Sequence, residues 1–384
     1  MRLLYNLKAT QPIGNTKFHG GGKYGLIVFK RLVEIAPDKV AVYYDDQSYL
    51  DEDTRRIIVQ NNLPVYLKND MSLYDAARKE SKVIYSPLFS GNYVPEDITI
   101  IQTQHGCRIL EMSYDKYQQN YEHDKGIIYK LIRGIRCLFS SVILKRDIKR
   151  FQKRLLLTNI KTVTVSEHSK YSLFTFIPEL QKQDLKVFYS PSTISENDSK
   201  SYISKNTLGK YYLVVSGNRW IKNGYRVLKA MDELFSEHAE LEGMVVVTGL
   251  NSWKELKIRI RNKERFILMG YVDEKTLKQL YHNAHLFVYG SLNEGFGYPP
   301  LEAMHEGCPV ITSAIASIPE ICGDAVLYFN PYSIPEIKMR IVQMENSDTR
   351  LHYIEKGRER HNSIKKKQDE DLNLFCKYLI SFVS

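Results

Sequence analysis

Cysteine is scarce in this chain, with five among 384 residues, at positions 107, 137, 308, 322 and 376. The number is odd and no pair has the C-x-x-C spacing, which argues against a disulfide framework, a zinc motif or a redox dithiol and fits a reducing compartment. No run of 18 or more apolar residues occurs, so no stretch reads as a membrane-spanning helix. Residues 1–5, followed by Asn6 and Lys8, lack the apolar stretch of a signal peptide. The expected location is the cytosol, unless a surface helix holds the chain at the cytoplasmic face of a membrane. Short-period repeats and low-complexity tracts are absent too. Acid is in deficit: 54 Lys and Arg against 44 Asp and Glu leave a net charge of +10. Polyanions, anionic lipid surfaces and phosphorylated ligands are the partners such a charge favours. The remaining composition, 43% hydrophobic and 26% charged, is that of a folded globular protein, and the length suits two domains.

Short β-branched runs alternate with stretches of helical period, the pattern of a parallel sheet covered by helices. Strands are expected at 3–5, 39–44, 64–67, 82–85, 98–102, 162–165 and 186–189, and again at 211–215, 244–248, 266–268, 286–289, 309–312 and 326–329. Residues 190–210, rich in Ser, Asn, Lys and Thr, read as a linker. The division expected is 1–190 and 191–364, each an α/β Rossmann-like domain. The apolar stripe Leu372, Phe375, Leu379 and Phe382 marks a terminal helix, 365–384, expected to pack back on the first domain. Open α/β sheets bind ligands beyond the carboxyl ends of their strands, so the active site is expected in a cleft between the two domains.

After the run 286–289 comes Ser291-Leu292-Asn293-Glu294-Gly295-Phe296-Gly297-Tyr298-Pro299-Pro300-Leu301-Glu302. It reads as a strand, a glycine turn and a helix opened by proline. A helix N-terminus attracts an anion such as a diphosphate, and two carboxylates beside it can accept hydrogen bonds from vicinal hydroxyls. Taken singly, Glu302 need only complement the helix dipole and the glycines need only turn the chain.

As a whole the string resembles the E-x7-E signature of family 4 retaining glycosyltransferases, and the resemblance continues through Gly307-Cys308-Pro309 and Ser317-Ile318-Pro319-Glu320 to Gly323-Asp324-Ala325 and Pro331. It implies the α/β GT-B fold, two Rossmann-like domains facing across a cleft. Upstream, Ser216-Gly217-Asn218-Arg219-Trp220-Ile221-Lys222-Asn223-Gly224 looks like the family's strand, basic loop and helix for the donor diphosphate. The spacing of Arg219 and Lys222 is shorter than in many members, so Lys222 is the firmer match. In the first half, His19-Gly20-Gly21-Gly22 looks like the N-terminal glycine loop, and His105 stands where members carry a histidine near the donor sugar.

The resemblance implies transfer of a sugar from a nucleotide-diphosphate donor to a hydroxyl of a glycan or lipid-linked glycan, with retention, in cell-surface polysaccharide synthesis. Arg219 and Lys222 would stabilise the departing diphosphate without a metal or other cofactor, and Glu294 would orient the sugar. Glu302 would hold the ribose, and His105 would line the sugar pocket. Gly295, Phe296 and Gly297, together with Gly21 and Gly22, would approach the substrate, and backbone groups of Tyr271 and Val272 would meet the base. A GT-B epimerase, or a non-catalytic partner subunit, would share the fold. Asp51-Glu52-Asp53 has the metal-binding D-x-D form of another glycosyltransferase fold, but it lies in a polar stretch opening a helix.

Between residues 125 and 161, eleven Lys or Arg face one acid, Asp147, a net +10 equal to that of the whole chain. Lys145, Arg146, Lys149, Arg150, Lys153 and Arg154 share one helical face, while Ile148, Phe151 and Leu155 lie on another. Such a helix suits an anionic membrane surface, or it is a solvated face packed on its own domain. No nucleic-acid-binding module is present.

Overall fold

A computed structural model describes residues 1–12, 20–91, 93–112, 115–121, 126–194 and 208–384, with the backbone alone at 116, 127, 130, 133, 136 and 137. His19 of the glycine loop, Lys125, and residues 195–207 of the linker lie outside the described residues, as do the side chains of Cys137, Lys130, Arg133 and Arg136.

The chain divides into two compact units. The first comprises Met1–Leu110, Lys145–Thr193 and Lys365–Ser384; the second comprises Glu111–Leu144 and Ile194–Ile364. Placing all of 1–190 in one domain therefore differs from the structure at Glu111–Leu144. The cause is side-chain packing: Tyr121 sits against the second unit's core, and Asp115 pairs with Arg226 there.

In the first unit the strands are β1 (Leu3–Asn6), β2 (Val40–Tyr44), β3 (Val65–Leu67), β4 (Val83–Ser86), β5 (Thr99–Gln104), β6 (Ile160–Thr164) and β7 (Lys186–Val187), in the spatial order 3-2-1-4-5-6-7. The second holds β8 (Tyr211–Val214), β9 (Met244–Thr248), β10 (Phe266–Met269), β11 (Leu286–Tyr289), β12 (Val310–Ser313) and β13 (Leu327–Phe329), in the order 10-9-8-11-12-13. All pairings are parallel. Each expected strand is present, with ends moved by at most two residues. The central ones, β1, β4, β8 and β11, are buried along their whole length, as strands covered by helices on both faces must be. Each sheet reverses its winding between its first and fourth strands. That switch point is where loops diverge and leave a crevice at the carboxyl ends. It falls between β1 and β4 in the first unit and between β8 and β11 in the second.

The tail is longer than its apolar stripe announced, one helix from Ser347 to Ile380. In the first unit its Phe375 packs on Tyr85 and Phe188, with ring centroids 5.4 and 4.9 Å apart. Asp371 accepts the Tyr189 N–H at 2.8 Å, and Gln368 donates to the Ser190 carbonyl at 2.6 Å. Cys107, Cys308, Cys322 and Cys376 are buried, and burial pushes Cys322 and Cys376 up to about 12, which leaves those two unreactive.

The basic segment corrects one expectation. In the helix Ser140–Leu155, Leu155 is buried, Ile148 and Phe151 are half-buried, and Lys145, Arg146, Lys149, Arg150 and Lys153 are exposed. Arg154 leaves that face. It is half-buried, with Nη1 3.4 Å from the Phe89 carbonyl oxygen and the guanidinium 4.8 Å from the Phe151 ring centroid. Burial first, then the charge of Arg150, lower its pKa. The preceding helix, Ile127–Leu138, exposes Ile128, Leu131, Ile132, Ile135 and Leu138. Asp51 proves to be a helix cap, its carboxylate accepting the Thr54 N–H at 3.0 Å and the Thr54 hydroxyl at 2.7 Å. Among the described residues no cluster of His, Cys, Asp and Glu is arranged to hold a metal.

Candidate active site

Two loops leave the switch point of the second unit. One follows β8 and carries Lys222; the other follows β11 and carries Glu294. They meet in an ion pair, Lys222 Nζ lying 2.5 Å from Glu294 Oε1, with the two side chains only 10% and 16% exposed. Tyr289, the last residue of β11, accepts from Lys222 at 2.6 Å and donates to Glu294 Oε1 at 2.5 Å. The Ser291 hydroxyl donates to the same oxygen at 2.6 Å. Burial alone would raise the Glu294 carboxyl, but the Lys222 charge and hydrogen bonds from Lys222, Ser291 and Tyr289 outweigh it and hold the pKa below its ordinary value. Tyr289 moves the other way: burial, then the Glu294 charge, keep it neutral as a donor.

The consequence is asymmetric. All three donors fall on Oε1, so Oε2 has no hydrogen-bond partner among the described residues and is not sealed from solvent. The carboxylate is charged, fixed in orientation and open on one side. An open carboxylate oxygen accepts sugar hydroxyls, and a fixed ammonium beside it attracts a phosphate.

Backbone contacts lock the two loops together. Leu292 N donates to the Ile221 carbonyl at 2.8 Å, and Ser313 donates to the Ser291 carbonyl at 2.6 Å. Ser317 Oγ reaches the carbonyls of Glu294 and Phe296 at 3.0 and 2.7 Å. Gly224 is required by proximity, since a Cβ there would lie 2.7 Å from the Gly217 carbonyl oxygen. Gly297 is required by conformation, with φ of +122° ahead of the helix Tyr298–His305. Pro299 and Pro300 carry no N–H, so backbone donors at this helix end belong to residues 295–298. Phe296 is 4% exposed, so its side chain belongs to the core.

None of the other expected residues of this unit hydrogen-bonds to the Lys222 or Glu294 side chain among the described residues. Glu302 lies beside the buried Tyr281 hydroxyl, and burial followed by that carboxylate's charge raises the Tyr281 pKa. Arg219 is exposed, and its guanidinium has no partner among the described residues. Tyr271 is 92% exposed and, with Val272, follows the end of β10, two strands away from β8. In the first unit, Gly21 and Gly22 open the helix Gly20–Ile35, and a Cβ on Gly21 would come within 2.8 Å of Leu88. His105, just past β5, has Nε2 2.9 Å from the Pro87 carbonyl oxygen and sits edge-on to Tyr24 at 4.6 Å.

Sequence reasoning gave no role to Tyr289 or Ser291, although both are in or beside the motif and supply two of the three hydrogen bonds on Glu294. A tyrosine closing the strand that precedes a glycine turn was the available signal.

Residues 196–360 match the family described as glycosyl transferases group 1. The chain is 32% identical over 143 residues to O-antigen chain mannosyltransferase B of Escherichia coli, which covers 36% of this chain and 38% of that protein. It is 27% identical over 213 residues to O-antigen chain mannosyltransferase RfbU of Salmonella typhimurium, covering 54% and 55%. The chain thus spans between about two-fifths and a little over half of these relatives. The crystal structure of Anabaena Alr3699/HepE in complex with UDP and glucose superposes over 99% of this chain and all of that one, with a TM-score of 0.59 and 15% identity. At that identity the likeness establishes the fold alone, and the fold is GT-B, with two parallel Rossmann-like sheets in one chain.

Proposed function

We propose that this chain is a retaining glycosyltransferase of the family 4 type. It moves a sugar from a nucleotide-diphosphate donor to a hydroxyl of a glycan or lipid-linked glycan, in cell-surface polysaccharide synthesis. The observation that carries this reading is the Lys222–Glu294 pair at the switch point, with one carboxylate oxygen left open. The O-antigen relatives support a hexose such as mannose as the transferred sugar. As the glycosidic bond breaks, negative charge grows on the diphosphate, and Lys222, Arg219 and the positive end of the helix Tyr298–His305 stabilise it. Glu294 holds the donor sugar through Oε2, and Glu302 takes the ribose. Tyr271 and Val272 meet the base. The departing phosphate takes the acceptor's proton, so neither a conventional base nor a metal is needed.

A thermal-shift screen with UDP-, GDP-, ADP- and dTDP-sugars tests the donor assignment. Ligand at 100 times its dissociation constant stabilises by about 2.7 kcal/mol, and a chain that no nucleotide sugar stabilises is not this enzyme.

The reading includes attachment to an anionic membrane through residues 125–161, motivated by their charge and by the exposed apolar residues of Ile127–Leu138. Each exposed basic residue near such a surface contributes about 1 kcal/mol. Changing Lys149, Arg150 and Lys153 to Glu is expected to abolish sedimentation with phosphatidylserine vesicles at low salt and to leave the melting temperature unchanged. Binding of wild type should also fall between 0.1 and 1 M salt, as the screening length drops from about 10 to about 3 Å. Vesicle binding by the triple variant at the wild-type level would remove this part of the reading.

A further inference from the structure

The segment that joins β5 to the helix Ser140–Leu155 belongs to the second unit, and its contacts there are specific. Asp115 is buried and takes a bidentate pair from Arg226, with both Nη atoms at 2.8 Å. The same carboxylate accepts the Trp220 indole N–H at 3.0 Å. Arg226 Nη1 also donates to Asn223 Oδ1 at 3.0 Å, and Asn223, held at φ of 56°, donates to the Pro331 carbonyl at 2.7 Å. Tyr117 stacks on Tyr225 with centroids 4.4 Å apart and lies 4.5 Å from the Arg226 guanidinium. Tyr121 OH accepts the Tyr225 N–H at 2.6 Å, and Asn293, next to Glu294, donates to Glu111.

Lys222 lies in the short turn Trp220–Lys222. Asp115 therefore grips that turn from both ends, directly through Trp220 and through Arg226 and Asn223 on the far side. We infer that Asp115 is a positioning residue for the candidate donor site: it fixes the turn that aims Lys222 at Glu294 and at the donor diphosphate, while Glu111 steadies the Glu294 loop from the same segment. A buried ion pair is a poor source of stability, since its replacement by apolar residues is often neutral or favourable. What this pair supplies is geometry, through carboxylate hydrogen bonds that bring three separate backbone stretches into one register.

This inference rests on the donor-site reading, and its test separates the two. Calorimetric titration with UDP, GDP, ADP and dTDP is carried out on wild type, on Trp220→Phe, and on the double variant Asp115→Asn with Arg226→Met. Trp220→Phe removes the indole N–H given to Asp115 together with the five-membered part of the ring, and is expected to raise the Kd of the preferred nucleotide about tenfold, the worth of a hydrogen bond to a charged group. The double variant removes both charges together, so its melting temperature should stay near that of wild type while its Kd rises at least as much. If both variants bind with the wild-type Kd, the positioning role is wrong although the donor site stands. Should the double variant fail to fold, Trp220→Phe decides alone. If wild type binds none of the four nucleotides, the donor-site reading itself has failed and the inference falls with it.

Discussion

Lys222→Met is expected to lose roughly 100- to 1,000-fold in turnover, because it deletes the largely covered ammonium that pairs with Glu294 and is placed to meet charge growing on the diphosphate. Stability should fall as well, by about 3–5 kcal/mol near neutral pH, the cost of leaving one partner of a buried pair without the other. The pH dependence gives this prediction its sign. In wild type the Glu294 pKa is depressed, so the pair stabilises fully above the unfolded carboxyl value and that contribution is lost as pH falls through the folded value. In the variant the Lys222 charge no longer opposes burial, with the Ser291 and Tyr289 hydrogen bonds remaining, so the Glu294 pKa is expected to be higher than in wild type. The stability gap between the two proteins should therefore be widest near pH 7 and narrow toward pH 4, which thermal melts across that range would show. A gap that stays constant with pH would mean that Glu294 is not charged in the folded protein.

The second large effect separates the two carboxylates of the motif. Glu294→Gln keeps the shape but weakens the acceptor at Oε2, and is expected to lower kcat by roughly 100-fold with a smaller change in donor KM. Glu302→Ala should act in the opposite sense, raising donor KM about tenfold and sparing kcat, since a ribose contact is made equally in the ground and transition states. Steady-state kinetics with the donor chosen by the thermal screen separates these patterns. Wild-type parameters in both variants would remove the site from the cleavage chemistry.

The strands were legible in the sequence because a parallel sheet buried on both faces needs unbroken apolar runs, and Val245, Val246 and Val247 are such a run. The two site loops were legible for a related reason: Gly217, Gly224 and Gly297 answer to close approach or a left-handed backbone, and both constraints leave a glycine in the text. What escaped was decided by contacts between distant residues. Asp115 and Arg226 stand 111 positions apart, so nothing local in residues 111–144 says that they fold with the second unit. Arg154 reads as one more cation on a basic face, and only the Phe89 carbonyl, 65 positions away, shows that it turns inward. Likewise the seryl and tyrosyl hydroxyls on Glu294 are ordinary residues until the fold of the turn brings them onto one oxygen.

The most direct measurement of the whole account is transfer itself, followed by NMR of the product in excess EDTA, with the stabilising nucleotide sugar as donor and a short water-soluble glycan as acceptor. The account predicts release of the nucleoside diphosphate that depends on acceptor, survives chelation, and gives a product with the donor's anomeric configuration. Inverted configuration, or activity lost to EDTA and restored by a divalent metal, would contradict it.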